Sequence, residues 1–333
     1  RVAFHDVTKE EVYFLDFARG GTLIILSGPK GGEPASDLIM ALNVQTGEIT
    51  SQINAREKLR CAAVSANGEL LATGGVEGTI QLRKNVNLVL PVKFDAGQHP
   101  ISRIAFSPDG ERLAAANSDN EIHVFEIGSG RALLPEPIRL PAPIVDVSFL
   151  DGSQRLLVGI NASSDNVQVF DLDKADAPLS LTVPASSLNA AQTGANPEIV
   201  TVRYTHSGIK QHGDLSLKTG ELRELSPKFA GAMSYWNITW SPSGDAIALS
   251  DRTMRIHIFP SSFDHPAENF EGIHLADVRW IPDGKRLAGT HDNLPRILEL
   301  DSGNEGGVVK PITMRRNLDI SPDGRLIALY GAG

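Results

Sequence analysis

A single cysteine, Cys61, excludes an internal disulfide framework, and its apolar neighbours Ala62, Ala63 and Val64 read as a buried strand position rather than a reactive thiol. No apolar run approaches the roughly twenty residues that span a bilayer. Metal-ligand spacing is missing too: the nine histidines are isolated, with no His-x-His or Cys-x-x-Cys pairing. No Gly-x-Ser-x-Gly elbow, phosphate-binding loop or Gly-x-Gly-x-x-Gly fingerprint occurs, and Gly128-Ser129-Gly130 merely joins two predicted strands. Massed positive charge is also lacking. The net charge is -9, and Arg315-Arg316 reads as a solvated pair in a predicted strand, so no phosphate-tracking surface for nucleic acid is expected. Neither a cofactor nor a metal is expected. The lone cysteine fits a reducing, cytoplasmic compartment. The chain opens at Arg1 without a methionine or a signal-like apolar stretch, which suggests a segment cut from a longer polypeptide.

What the chain has is a repeat. A short turn recurs as Ser65-Ala66-Asn67-Gly68, Ser107-Pro108-Asp109-Gly110, Leu150-Asp151-Gly152, Ser241-Pro242-Ser243-Gly244, Ile281-Pro282-Asp283-Gly284 and Ser321-Pro322-Asp323-Gly324. Its glycines are 42, 42, 92, 40 and 40 residues apart, and Thr193-Gly194-Ala195-Asn196-Pro197 supplies a turn inside the double gap. Arg19-Gly20-Gly21 extends the series upstream. Proline presets φ, Asp or Asn bonds nearby backbone, and glycine accepts the positive φ of a tight reversal, so each turn joins two antiparallel strands.

The flanking segments, Ile101–Phe106 with Arg112–Ala116 and Val278–Trp280 with Arg286–Ala288, are short and apolar. Third strands follow at Thr79–Arg83, Glu121–Phe125, Asn166–Phe170, Arg255–Phe259 and Pro295–Leu300, alternating apolar and polar with a period of two. A weaker fourth strand, such as Leu90–Phe94 or the proline-bearing Leu133–Leu140, suits an exposed edge. Four antiparallel strands per period, repeated radially, make an all-β fold, a β-propeller of four-stranded antiparallel blades. Repeats start near Val12, Leu59, Ile101, Ile144, Leu188, Tyr235 and His274, giving seven full repeats plus a partial eighth around Leu318–Ala328. Residues 1–333 read as one such domain.

The stretch from Ile101 through Ser107-Pro108-Asp109-Gly110 to Ala116, continuing past Asp119 to Ile122-His123-Val124-Phe125-Glu126, resembles the WD-repeat family, in particular its divergent bacterial type. Phe125-Glu126 and Phe170-Asp171 stand where that family carries Trp-Asp, and His99 and His274 lie near its Gly-His position but displaced. Asp119, Asp165 and Asp292 keep its loop aspartate. The resemblance implies that the N-terminal strand, Val2–Val7, closes the ring, and that the blades lack much of the family's hydrogen-bonded network.

The resemblance also implies a noncatalytic protein-protein interaction scaffold or sensor module, with protein partners engaged by loops on the channel-mouth face. Candidate partner-binding residues are Lys30 and Glu33 in the long Gly28–Asp37 insertion, Asp119, Asp165, Asp251, Arg252 and His291, with Tyr235 and Trp236 at a blade junction. The alternative is an enzyme resembling lactonase or quinoprotein propellers, with its site at the channel mouth. His123 and His257 occupy equivalent strand positions, which favours a structural role.

Overall fold

The computed structural model describes residues 11–330 apart from 19–21, 29–36, 85–91, 151–152, 175–177, 186, 194–197, 207–208, 225–234, 244, 252–254, 261–267, 292–293, 302–304, 307–316, 322 and 326. Period-two alternation becomes strand throughout. The first sheet holds β1 (Glu11–Ala18), β2 (Thr22–Gly28), β3 (Leu38–Asn43) and β4 (Ile49–Asn54). The second holds β5 (Leu59–Val64), β6 (Leu70–Gly75), β7 (Thr79–Lys84) and β8 (Val92–Asp95). The third holds β9 (Ile101–Phe106), β10 (Arg112–Asn117), β11 (Glu121–Glu126) and β12 (Ile138–Arg139). The fourth holds β13 (Ile144–Leu150), β14 (Arg155–Ile160), β15 (Val167–Asp171) and β16 (Leu179–Leu181).

The fifth sheet comprises β17 (Ser187–Thr193), β18 (Ile199–His206), β19 (Ile209–Ser216) and β20 (Leu222–Glu224). The sixth comprises β21 (Tyr235–Trp240), β22 (Ala246–Asp251), β23 (Arg255–Pro260) and β24 (Glu268–His274). The seventh comprises β25 (Ala276–Trp280), β26 (Arg286–His291), β27 (Leu294–Glu299) and β28 (Glu305–Gly306), and β29 (Asn317–Ile320) pairs with β30 (Ile327–Tyr330). Among the described residues these are seven four-stranded sheets and one two-stranded sheet, each an antiparallel meander in chain order.

The first strands of neighbouring sheets face one another, β5 on β9, β9 on β13, β13 on β17 and β21 on β25, and they form the inner wall of a ring. β29 touches both β25 and β1, so the two-stranded sheet brings the last sheet round to the first.

The core lies between sheets rather than within them. Ala114, Ile122 and Val124 of the third sheet meet Val147, Leu156 and Val158 of the fourth, and Ile24, Leu26 and Ile39 of the first meet Leu59 and Leu71 of the second. Second strands are therefore covered on both faces. Leu113 to Ala116 are all fully buried, and the alternation expected of a half-exposed strand disappears there. Fourth strands carry the exposure, with Ile49, Val92 and Leu179 among the exposed apolar side chains.

The recurring turn is built as its residues require. Gly68, Gly110, Gly284 and Gly324 all take positive φ, and each amide donates back three residues, Gly110 N–H to Ser107 O at 2.9 Å. The buried serine closes the hairpin from inside. Ser107 Oγ donates to Asp109 Oδ1 at 2.5 Å and accepts from Arg112 N–H at 2.8 Å, and Asp109 Oδ1 accepts from Glu111 N–H at 2.9 Å. Ser65 with Asn67, and Ser321 with Asp323, repeat the arrangement.

Several boundaries differ from the sequence expectation. His274 ends the outer strand β24 instead of opening a repeat, because the seventh sheet begins at Ala276. The fourth strand expected over Leu133–Leu140 shrinks to Ile138–Arg139, since proline at 135 and 137 withholds two ladder donors. The third strands begin at Val167 and Leu294 rather than at Asn166 and Pro295. Val2–Val7, Asp292 and Arg315-Arg316 lie outside the described residues.

Candidate functional site

Strand order divides the ring into two faces. The Ser-x-x-Gly turns join first to second strands on the lower face, and the connections from second to third strand, and from one sheet to the next, share the upper face.

At that upper face every four-stranded sheet has the same irregularity. In the second sheet Leu59 pairs with Gly75 and Cys61 with Gly74, leaving Arg60 as an extra residue on the inner strand. The same one-residue bulge falls at Ser102 in β9, Val145 in β13, Asn189 in β17, Trp236 in β21 and Tyr13 in β1, and within Asp277–Val278 in β25. A bulge bends the strand and redirects the side chain it carries. Repeated around the ring, it falls at one place in the inner strand of each four-stranded sheet, beside the connection that enters the sheet.

The loops around this rim are held by buried polar groups. Fully buried Asn166 donates from Nδ2 to Val183 O at 2.9 Å and to Ala162 O at 3.2 Å, and its Oδ1 accepts from Val183 N–H at 2.8 Å. Asn117 acts alike in the third sheet: Nδ2 donates to Ala96 O at 3.2 Å and Glu121 Oε2 at 3.0 Å, and Oδ1 accepts from the Asp119 and Glu121 amides. In the first sheet Asp37 Oδ2 accepts from Leu59 N–H at 2.6 Å. Backbone bonds complete the weave, with Val76 N–H donating to Lys58 O and Ala96 N–H to Gly78 O. In the second, third and fourth sheets the loop after the second strand is thus tied to the chain entering or leaving its sheet.

The candidate residues fall as follows. Asp119 and Asp165 lie exposed in loops of the upper face. Tyr235 opens β21 opposite Asp251, the last residue of β22, and Trp236 is the bulge residue between them and Asn237. His291 ends β26, opposite Leu294. These belong to one face, whereas Lys30, Glu33 and Arg252 lie outside the described residues. Of the long insertion, Gly28 closes β2 and Asp37 is a buried hydrogen-bonding group, so neither end is loop surface.

The displaced His99 does reach the loop aspartate. Its Nε2 is 3.8 Å from Asp119 Oδ2, but both side chains are about half exposed, at 51% and 55%, which makes this a surface contact worth at most ~1 kcal/mol. Asn117 has taken over the holding role.

Burial pushes the Cys61 thiol up to about 12, so it stays protonated, in keeping with a packing role in β5. His123 lies 3.5 Å from Glu121 Oε2, and Glu121 also meets Arg139 at 2.6 Å. The amide of Asn117 does most to hold the Glu121 carboxyl below its ordinary range.

Turn and loop carboxylates set the acid response. Asp109, Glu121, Asp171, Asp245, Asp283 and Asp323 are lowered, Asp245 by the Ser243 and Ser241 hydroxyls and Asp323 by Ser321 and the Arg325 amide. Burial raises Glu57 and Asp214. A carboxyl lowered by folding stabilises the protein above its unfolded pKa, and that contribution is lost as pH falls through the folded value. The two raised groups act oppositely, gaining as pH falls. The lowered set outnumbers them, so the urea midpoint is expected to drop from neutral pH to about pH 3. The combined Asp245→Asn and Asp323→Asn variant should show a shallower drop, and an unchanged profile would contradict this origin.

Among the described residues no group of three His, Cys, Asp or Glu side chains is placed to hold a metal ion, and no helix is long and apolar enough to cross a membrane.

Radial four-stranded antiparallel sheets around a channel define a β-propeller. Residues 62–138 match the family described as the anaphase-promoting complex subunit 4 WD40 domain. Autophagy-related protein 18 of Kluyveromyces marxianus is 34% identical over 266 residues, 73% of this chain and 49% of that protein. The COMPASS component SWD1 of Saccharomyces cerevisiae is 26% identical over 183 residues, 52% of this chain and 42% of that protein. The crystal structure of the computationally designed Ika8 protein superposes with a TM-score of 0.71 at 14% identity, covering 98% of each chain, a likeness of fold alone. The chain is a WD-repeat propeller. Its matched part spans from 17% to 49% of the length of these curated relatives. Those relatives are eukaryotic, so the bacterial type expected from the divergent repeats finds no support.

The sequence reading named Trp236 as a candidate, an aromatic at a blade junction, but none of the other bulge residues and neither of the buried Asn117 and Asn166. A bulge is defined by the partner strand, so nothing local announces it. Asn166 did carry a signal, a polar residue directly before a third strand.

Proposed function

We propose that the chain is a noncatalytic interaction scaffold or sensor module that holds protein partners on its upper face. The observation that carries this reading is the bulge repeated at one position in every four-stranded sheet, next to loops tied down by buried side chains. A rim fixed in this way presents side chains with little ordering entropy left to lose on binding. Names among the similar proteins point the same way, since COMPASS component and anaphase-promoting complex subunit both denote members of assemblies.

In this reading Lys30, Glu33, Asp119, Asp165, Tyr235, Trp236, Asp251, Arg252 and His291 contact the partner, with Trp236 as an aromatic anchor. Residues 1–333 act as one unit in a reducing, cytoplasmic compartment. β29 and β30 are the inner half of an eighth blade, completed by the N-terminal strand.

Affinity capture with the purified chain tests the face. Trp236→Ala and Arg252→Glu should each deplete the captured proteins, while Arg131→Glu, in a turn of the lower face, should not. Capture unaffected by the first two changes would reject the upper face.

A further inference from the structure

We infer that the upper face takes an acidic polypeptide segment at the connector between the first and second sheets. This rests on the partner-binding reading above and adds the chemistry that one sector of the rim recognises. The connector runs Ala55-Arg56-Glu57-Lys58-Leu59-Arg60, and alternate residues turn opposite ways: Ala55 and Leu59 are buried, while Arg56, Lys58 and Arg60 are exposed. None of the three cationic groups has a carboxylate within ion-pair distance among the described residues. Arg60 is the exposed bulge residue of β5, at the upper-face end of the inner strand.

The carboxylate that sequence would set against them is only partly exposed. Glu57 turns into the second sheet, where its Oε1 accepts from Gln81 Nε2 at 2.6 Å, and Gln81 Oε1 in turn accepts from Arg83. Gly75 makes the room. A Cβ there would lie 1.8 Å from Glu57 Oε2, so a side chain at 75 would displace the carboxylate from this position. A connector that reads as mixed charge therefore presents three cations. Arg103 extends the patch into the third sheet, its guanidinium exposed and held on the backbone carbonyls of Val145 at 3.0 Å and Ser102 at 2.7 Å.

Charge complementarity selects an anion, and the surroundings select its size. Exposed carboxylates of Glu77, Asp119 and Asp165 share this face, and the whole chain carries a net charge of -9. A planar anionic membrane or a continuous nucleic-acid backbone would meet those carboxylates together with the cations. A short acidic peptide can engage the cationic sector alone.

The test is fluorescence anisotropy with the purified chain and a fluorescein-labelled peptide of alternating glutamate and serine. The version with glutamine for glutamate is the control. The glutamate peptide should bind, weaken as salt is raised, and lose about tenfold or more in affinity with Arg60→Glu and separately with Lys58→Glu. Arg131→Glu on the lower face should leave it unchanged. Equal loss with Arg131→Glu, equal binding of the glutamine peptide, or no binding at all would overturn the inference. Arg60-dependent binding of phosphatidylserine vesicles or single-stranded DNA in place of the peptide would overturn it too. Capture that still depends on Trp236 while the peptide fails to bind would remove the acidic specificity and leave the partner-binding face standing. Peptide binding lost with Arg60→Glu, alongside capture indifferent to Trp236, would contradict the broader reading instead.

Discussion

Asn166→Leu is expected to destabilise the fold by about 3 kcal/mol while leaving the volume of the side chain nearly unchanged. The loss comes from stranded hydrogen-bond partners. Asn166 and Val183 are both fully buried, so leucine would leave the Val183 amide and carbonyl without hydrogen bonds and without access to water. Each stranded group costs ~1–3 kcal/mol, far more than the net worth of a hydrogen bond exchanged with solvent. Asp165→Asn, one residue away, is the control. Asp165 is exposed and holds φ at 49°, a conformation that asparagine also tolerates, so its change should stay within about 0.5 kcal/mol. Urea unfolding of the two variants decides the matter. Equal, small effects would mean that Asn166 does not hold the loop.

Gly78→Ala should be at least as damaging, and comparison with Gly110→Ala isolates the reason. Both glycines adopt positive φ, 80° and 73°, so alanine pays a similar backbone penalty of ~1–2 kcal/mol at either site. The surroundings differ. At Gly110 an added Cβ meets nothing within 4 Å, whereas at Gly78 it would lie 2.1 Å from Gly97 O and 2.8 Å from Gly97 C. Those atoms are backbone of the connector to the third sheet, already fixed by the bond from Ala96 N–H to Gly78 O, and cannot swing aside. Overpacking adds ~1–3 kcal/mol, so Gly78→Ala is expected near 3 kcal/mol or beyond and Gly110→Ala near half of that. Indistinguishable losses in denaturant titrations would show that the connector does not press on Gly78.

The same contrast marks what a reader of the sequence can recover. The lower-face turn was legible because its chemistry is local: Ser107 bonds residues 109 and 112, and Gly110 bonds Ser107. Strand starts were legible to within about two residues wherever such a turn anchored them. The seventh repeat, expected to start near His274, starts two residues later at Ala276, with His274 as the last residue of β24.

The upper face was legible only as a set of loops. Asn166 finds Val183 seventeen residues away, and Asp37 finds Leu59 twenty-two away, distances over which composition carries no pairing information. Glu57 is the sharpest case. Between Arg56 and Lys58 it reads as a solvated charge, yet the absence of a side chain at Gly75 lets it turn inward and leaves the cations uncompensated. Arg315-Arg316 looked more cationic in sequence than the connector, because adjacency is visible there and exposure is not.

Docking of partners on the rim of inner-strand bulges, as proposed above, is read out by site-specific photo-crosslinking. A benzophenone amino acid placed at Trp236, on the rim, and separately at Arg131, in the lower-face turn, would be irradiated in the presence of the captured proteins. Covalent adducts from position 236 and none from position 131 are the expected result. Adducts from 131 with none from 236 would put the docking face on the opposite side of the ring.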